Sequence, residues 1–232
     1  MINLNGMKAF AEGGNRKCYI NPNNPKRCLK VLHEDLLENL QKNSAWYKRL
    51  GNNDDLDDNL RERKAYDQKA IRSPIDSSIW DHLAKWYGMV ETTLGPASET
   101  ELIINEGKIS ETLETYLFRE GLTPEIKKAL STFETWLRTH LVLTKNIIPH
   151  NVVIKKDNGL LILKIVDGLG SKSFIPLPEY SKFFAKIYVE RRIKLMWSRI
   201  HWDLTGRVGA VSYTHLRAHE TEADLVCRLL LE

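Results

Sequence analysis

The most regular alternation of apolar and polar positions along the chain lies at residues 124–141. Apolar side chains recur there every three or four residues, a spacing that gathers them on one face of an α-helix. Thr123 is a good N-cap residue, and Pro124 suits the first helical position. The pattern therefore predicts an amphipathic helix over 124–141, with Ile126, Leu130, Phe133, Leu137 and Leu141 facing the core.

Shorter patterns predict strands before this helix and a hairpin after it. The alternation at 27–32 predicts a strand that carries Lys30. Residues 4–10 and 17–20 are further candidate strands, joined by a turn that contains Gly13 and Gly14. Apolar runs at 151–156 and 160–166 flank Asp157-Asn158-Gly159, and Asn-Gly accepts the positive φ angles of a tight hairpin turn. Two more strands at 85–91 and 100–104, and helices at 60–71 and 178–200, complete the prediction.

The order of these elements favours an α+β fold with two lobes. Strands dominate the first part of the sequence and helices the second, without the regular alternation of a parallel sheet. We therefore predict a strand-rich lobe over residues 1–100 and a helical lobe over residues 101–210, with their boundary near 99–105.

Composition and charge exclude some classes of partner. The longest apolar runs, such as 159–166, are too short to span a bilayer, and residues 1–10 lack a signal-peptide pattern. The three cysteines have no metal-type spacing, which favours a reducing cytoplasm. The net charge is only +4, and the basic residues at 182–199 are interpreted as a solvated helix face. We expect a cytoplasmic protein with no membrane and no nucleic-acid partner.

Residues 211–232 have a different origin in this interpretation. Residues 211–221 read VSYTHLRAHET and residues 225–232 read LVCRLLLE. Both segments match the translation of one sequencing-library adapter, with a short index-like gap between them. We interpret 211–232 as a non-native tail, so His215, His219 and Cys227 are discounted as metal ligands.

Polar residues that could carry chemistry follow one another in a specific order. Gly13-Gly14 lies in a turn, Lys30 in a strand, Glu62 on a helix, and Asn151 and Asp167 flank the predicted hairpin. Singly, each suits a tight turn or a solvated charge. Phosphoryl transfer needs backbone amides over the phosphates, a lysine held by a glutamate, and two oxygen ligands for Mg²⁺. The order therefore matches the site of a protein kinase.

Several longer motifs resemble the YrbL family, which is described as part of the PhoP regulatory network and grouped with the protein-kinase-like fold. The motifs are Gly-Gly-Asn-Arg-Lys-Cys-Tyr at 13–19, Pro-x-x-Cys-Leu-Lys-Val at 25–31, Tyr-Gly-Met-Val-Glu-Thr at 87–92, and the segments 146–154, 165–176 and 180–200. The similarity covers nearly the whole chain before residue 211.

This resemblance implies a role for each candidate residue. Lys30 would hold phosphate oxygens of ATP, with Glu62 orienting it, and the turn at Gly13 and Gly14 would cover the phosphates. Asn151 and Asp167 would hold Mg²⁺. The backbone groups of Glu101 and Leu102, between the lobes, would meet the adenine.

The sequence departs from the kinase pattern at the catalytic loop. The segment 144–151 aligns with His-Arg-Asp-x-x-x-x-Asn, which puts Asn146 where the proton-accepting aspartate stands and Thr144 where the histidine stands. An amide accepts a hydrogen bond but takes no proton at neutral pH. The segment from Asp167 to Pro176 is also too short for a long activation segment.

Three functions remain open on this sequence. The first is a kinase-fold regulatory protein that binds ATP and Mg²⁺ without phosphoryl transfer, a pseudokinase. The second is an active atypical kinase for a small molecule or a protein, with Asn146 positioning the acceptor. The third is a binding scaffold without nucleotide, which the presence of Lys30, Asn151 and Asp167 disfavours. The partner is an unidentified regulatory protein or small-molecule substrate.

The interpretation of the tail gives a first testable prediction. Deletion of residues 211–232 is expected to leave the thermal unfolding midpoint nearly unchanged, because an adapter-derived segment was not selected together with the core. The measurement is thermal denaturation of the full chain and of a chain that ends at Ala210. A large loss of stability on deletion would contradict the interpretation.

Overall fold

The N-terminal part of the chain is built on an antiparallel sheet. The computed structural model describes residues 1–33, 57–171 and 177–206, so the predicted tail at 211–232 lies outside the described residues. The five strands are β1 (Ala11–Glu12), β2 (Arg16–Asn21), β3 (Asn24–Leu32), β4 (Trp86–Thr92) and β5 (Gly95–Glu101), in the order β1-β2-β3-β5-β4. The predicted strands at 17–20, 27–32 and 85–91 are confirmed within β2, β3 and β4, with one-residue differences at the ends of β4.

Two predicted strands differ from the structure. Residues 4–10 form no strand, because Gly6 adopts a φ of +74° and the chain turns there, with Met7 N donating to Leu4 O at 3.1 Å. The predicted strand at 100–104 is split. Its first two residues end β5, and Ile104 belongs to a separate small hairpin of β6 (Ile104–Asn105) and β7 (Lys108–Ile109).

The predicted helix at 60–71 is two helices. The longer, α1 (Asp58–Tyr66), begins at the N-cap Asp57, whose carboxylate accepts from two backbone amides of the first turn. It ends where Asp67 N donates to Arg63 O and Lys64 O, and α2 (Lys69–Arg72) follows. Four residues of α1, Asn59, Glu62, Ala65 and Tyr66, are buried, so this face of the helix packs inward. A 3₁₀-helix, Ser77–Asp81, leads to β4.

The C-terminal part is mainly helical. Its helices are α3 (Leu113–Glu120), α4 (Pro124–His140), α5 (Leu177–Tyr180) and α6 (Lys182–Leu204). The helix predicted at 124–141 is confirmed as α4, which ends one residue earlier because Leu141 takes a left-handed φ of 55°. The Thr123 hydroxyl accepts from Ile126 N at 3.3 Å, as an N-cap does. The predicted helix at 178–200 is confirmed in α6, with a break before Lys182.

The predicted hairpin is also confirmed. It consists of β8 (Val152–Asp157) and β9 (Leu160–Ile165), which pair in antiparallel register around the turn at Asn158 and Gly159. Both turn residues have positive φ, 47° and 77°. A 3₁₀-turn, Pro149–Asn151, leads into β8, so Asn151 lies at the foot of the hairpin, opposite the end of β9.

Two main hydrophobic cores lie in the two parts of the chain. The smaller packs against the five-stranded sheet and contains Leu4, Tyr19, Leu29, Val31 and Ala97. The larger is centred on α4, whose Leu130, Phe133 and Leu137 have no exposed surface, and it includes both strands of the β8–β9 hairpin and the buried face of α6. This arrangement is the predicted α+β fold. Within the described ranges, every helix is too short or too polar to cross a membrane.

Candidate functional site

A cleft of about 670 Å³ runs between the sheet and the loops at the foot of the β8–β9 hairpin. Its volume is typical of small-molecule sites. Eight of the predicted site residues line it, and only Asn146 does not; the eight are Gly13, Gly14, Lys30, Glu62, Glu101, Leu102, Asn151 and Asp167. The chain thus brings residues from both halves of the sequence to one cavity.

Lys30 is held at the inner end of the cleft. It lies on β3, paired with Cys18 of β2 and Ser98 of β5, and the residue is only 5% exposed. Its Nζ lies 2.5 Å from Oε1 of Glu62 on α1 and donates to Val166 O at 2.7 Å. Burial alone would lower the pKa of Lys30, but the carboxylates of Glu62 and Asp167 raise it above its ordinary value. Lys30 is therefore a fixed cation.

Helix α1 is tied to the sheet by a buried amide. Asn59 Nδ2 donates to Lys30 O at 3.1 Å, one turn of helix before Glu62. Asn59 is 1% exposed, so this hydrogen bond is shielded from water. The contact fixes the position of α1 and hence the distance between Glu62 and Lys30.

Asp167 directly follows Val166, whose carbonyl accepts from Lys30, and it lies two residues after β9. Its Oδ1 accepts from Gly168 N at 2.7 Å, and its Oδ2 accepts from Arg16 Nη2 at 2.8 Å. Burial raises the pKa of Asp167, but the charges of Lys30 and Arg16 outweigh it and lower the pKa to about 2. Asp167 is therefore an anion at neutral pH.

Asn151 and Asn146 are joined through Gly168. Asn151 Nδ2 donates to Asn146 O at 3.2 Å. Gly168 has a φ of +81°, and a Cβ at this position would lie 2.6 Å from Asn146 O and 2.8 Å from Asn151 Nδ2. Only glycine allows this close approach. The loop that carries Asn146, the amide of Asn151 and the residue after Asp167 therefore form one packed unit.

The oxygen atoms at this unit suit Mg²⁺, the metal that the resemblance implies. The amide nitrogen of Asn151 is engaged with Asn146 O, which leaves its Oδ1 as an acceptor next to the Asp167 segment. Nowhere in 1–33, 57–171 or 177–206 do three or more His, Cys, Asp or Glu side chains gather as a metal site. Mg²⁺ keeps several waters and is commonly held by one or two protein oxygens together with substrate phosphates.

The glycine turn is open in this structure. Gly13 and Gly14 both have room for a Cβ, and neither has a positive φ. The turn is closed by the hydrogen bond from Gly13 N to Arg16 O at 2.9 Å, and Asn15 Nδ2 donates to Asp58 on α1 at 2.6 Å. The local backbone therefore does not require glycine at either position.

The segment between β5 and β6 has only one uncommitted backbone amide at its centre. Glu101 N donates to Lys85 O at 2.8 Å and Leu102 N donates to Lys26 O at 2.9 Å. The Glu101 carboxylate lies 3.2 Å from Nζ of the buried Lys164. Within the described part of the chain, Ile103 N has no hydrogen-bond partner, while Ile103 O accepts from Ser110 N at 2.9 Å.

Asn146 lies at the edge of the site. It is half-buried, and its backbone is held near Gly168, with Asn146 N 3.4 Å from Gly168 O. The neighbouring Thr144 has a buried hydroxyl that lacks a partner in the described residues, while its carbonyl accepts from Tyr188 of α6 at 3.0 Å. The loop is thus anchored to α6 through its backbone.

The sequence of this chain matches a known family model from residue 2 to residue 202, that of PhoP regulatory network protein YrbL. The chain belongs to the YrbL family. The YrbL proteins of Escherichia coli strain K12 and of Shigella flexneri are each 23% identical to it over 205 residues, which is 86% of this chain and 86% of theirs.

The fold of this YrbL family member is that of protein kinases. Two crystal structures of double mutants of the Mycobacterium tuberculosis PknI kinase domain are similar to it, with a TM-score of 0.50 and 13% identity. One match covers 84% of this chain and 74% of that domain, and the other covers 89% and 79%. The predicted protein-kinase-like fold is confirmed.

Three features of the cleft in this YrbL family member were not predicted from the sequence. Arg16 bridges Glu62 and Asp167, and in sequence it is only a basic residue after a turn. Ser110 has a buried hydroxyl in the cleft that lacks a partner among the described residues. Cys18 and Cys28 are free thiols in the cleft wall. A hydrogen bond from Cys28, together with the charges of Lys30 and Arg16, lowers the pKa of Cys18 to about 7.

The depressed pKa of Asp167 predicts an acid dependence of stability. The pKa is lower in the folded chain than its ordinary value of 3.8, so the stabilising effect is present above that pH and is lost as the pH falls from about 4 to about 2. We expect the free energy of unfolding to fall more steeply in this range for the unmodified chain than for Asp167→Asn. Urea denaturation at a series of pH values measures this, with Asp157→Asn, an exposed carboxylate, as the control. Equal slopes for the unmodified chain and Asp167→Asn would contradict it.

Proposed function

We propose that this chain is a kinase-fold regulatory protein of the cytoplasm that binds ATP with Mg²⁺ in the cleft and is a pseudokinase. The observation that carries the proposal is the position of Lys30. Its Nζ contacts Glu62 at 2.5 Å and Val166 O at 2.7 Å, next to Asp167. A cation for phosphate oxygens and an anion for a metal are thus held at one end of a cavity of ligand size.

The phosphate end of the ligand would meet Lys30, with the turn at Gly13 and Gly14 above it. Lys30 keeps its charge through Glu62 and can donate to phosphate oxygens. Mg²⁺, held by Asn151 Oδ1 and the Asp167 carboxylate, would neutralise the phosphate charge. Gly13 N is engaged with Arg16 O, so Gly14 N is the glycine amide of this turn that remains for a phosphate among the described residues.

The nucleoside end would lie beside the segment 101–103. Glu101 and Leu102 form the cleft wall there, but their amides are engaged with Lys85 O and Lys26 O. Ile103 N and the Ser110 hydroxyl are the polar donors that remain for a base or a ribose. An otherwise unsatisfied buried hydroxyl is stabilised by a ligand that pairs with it.

The second candidate is an active atypical kinase. The same set of Lys30, Asn151 and Asp167 supports it, because phosphoryl transfer depends mainly on positioning and electrostatic stabilisation. Asn146 disfavours it, because an amide cannot take the proton of an acceptor hydroxyl. The acceptor would be an unidentified protein or small molecule.

Nucleotide binding can be tested by thermal shift. ATP with Mg²⁺ is expected to raise the unfolding midpoint of the unmodified chain, and Lys30→Ala and Asp167→Ala should each abolish the increase that depends on Mg²⁺. Arg199→Ala is the control, because Arg199 is a largely buried cation, 16% exposed, that is paired with Glu114 and Asp203 and lies outside the cleft. It should lower the starting midpoint and keep the shift caused by the nucleotide. An unmodified chain that ATP and Mg²⁺ fail to stabilise would contradict the proposal.

The role of Asn146 needs a separate experiment. Asn146→Ala should leave ATP binding intact, because its side chain does not line the cleft. Asn146→Asp restores a proton acceptor and is expected to raise ATP hydrolysis or self-phosphorylation, with a gain of roughly 10²-fold or more. The control is Asn158→Asp, the same change at the exposed hairpin turn. If the unmodified chain transfers phosphate and Asn146→Ala abolishes the transfer, the atypical kinase is the correct function.

A further inference from the structure

Arg16 occupies the centre of the charged end of the cleft. It is the first residue of β2, directly after the glycine turn, and its side chain is only 10% exposed. Nη1 donates to Glu62 Oε2 at 2.7 Å and to Asn59 Oδ1 at 3.2 Å, and Nη2 donates to Asp167 Oδ2 at 2.8 Å. The guanidinium therefore lies between the glutamate that holds Lys30 and the proposed metal ligand.

The charges at this end of the cleft cancel because of Arg16. Two cations, Arg16 and Lys30, face two anions, Glu62 and Asp167. Without the guanidinium the group would carry one net negative charge and would repel a polyphosphate. With it, phosphate approaches two fixed cations that are already desolvated, where a charge interaction is stronger than in water.

Arg16 also has donors to spare. A guanidinium carries five N–H groups, and Arg16 uses three of them in hydrogen bonds within the described residues. Two N–H groups, one of them on Nε, are left without a partner in that part of the chain. Arg16 lines the cleft, and arginine pairs with phosphate through two parallel N–H groups.

The same contact reduces the capacity of Asp167 to bind a metal. Oδ2 accepts from Arg16 and Oδ1 accepts from Gly168 N, so both oxygens already have a hydrogen bond. A divalent cation at Asp167 has to share the carboxylate with the guanidinium, which repels it. Arg16 thus strengthens the attraction for phosphate and weakens the attraction for metal.

We propose that Arg16 is a phosphate-binding residue whose fixed charge takes over part of the task of Mg²⁺, so that the cleft binds nucleoside triphosphate in the absence of divalent metal. This inference rests on the proposed nucleotide function. It adds that Mg²⁺ strengthens the binding but is not required for it.

The experiment compares ATP binding by isothermal titration calorimetry in Mg²⁺ and in EDTA. The unmodified chain is expected to bind in both buffers, with the two Kd values within about tenfold of each other. Arg16→Gln should weaken binding in EDTA roughly tenfold to a hundredfold, the range of a hydrogen bond to a charged group, and weaken it less in Mg²⁺. Arg199→Gln is the matched control, because Arg199 is 16% exposed, is paired with Glu114 and Asp203, and lies outside the cleft.

The outcomes separate this inference from the proposed function. If the unmodified chain binds ATP saturably in Mg²⁺ but not in EDTA, the inference is overturned and the proposed function still stands. This comparison uses the unmodified chain alone. No binding in either buffer overturns the proposed function itself. Binding in EDTA that Arg16→Gln leaves unchanged also overturns the inference. Arg16→Lys keeps the charge and should retain more binding in EDTA than Arg16→Gln, whereas equal losses would contradict the role of charge.

Discussion

The buried ion pair between Lys30 and Glu62 is the interaction on which the rest of the cleft depends. A lysine that is 5% exposed can stay charged only next to an anion, and Glu62 supplies it from α1. This requirement fixes α1 against β3, which Asn59 reinforces through its bond to Lys30 O. Arg16 extends the same pair to Asp167. Four charges thus connect the sheet, α1 and the end of the hairpin.

The parts of the fold that depend on local sequence could be predicted. Helix α4 was recognisable because its apolar spacing, its N-cap and its proline all indicate the same helix. The β8–β9 hairpin was recognisable because Asn158 and Gly159 accept positive φ. The break after α1 and the absence of a strand at 4–10 were not, because they depend on single backbone angles and on packing against distant residues. The strand order was also out of reach, since it depends on contacts far apart in sequence.

The candidate site was only partly accessible from sequence. The order of Lys30, Glu62, Asn151 and Asp167 indicated a kinase-like set, and the fold brings these residues to one cleft. Arg16 escaped notice because its importance comes from a partner 151 residues away. Ser110 escaped because a serine after a short strand has no signature, and only its burial without a partner among the described residues makes it distinctive.

Gly168 limits how this sequence can vary. Any side chain there would place its first carbon 2.6 Å from Asn146 O and 2.8 Å from the amide nitrogen of Asn151, at a φ of +81°. A single substitution at this position would therefore displace both the loop that carries Asn146 and the side-chain amide of Asn151. Gly13 and Gly14 look more like a functional motif than Gly168 does, because two adjacent glycines in a turn match the kinase pattern. Both nevertheless have room for a side chain in this structure. Of these three glycines, Gly168 is the one that the backbone does not allow another residue to replace.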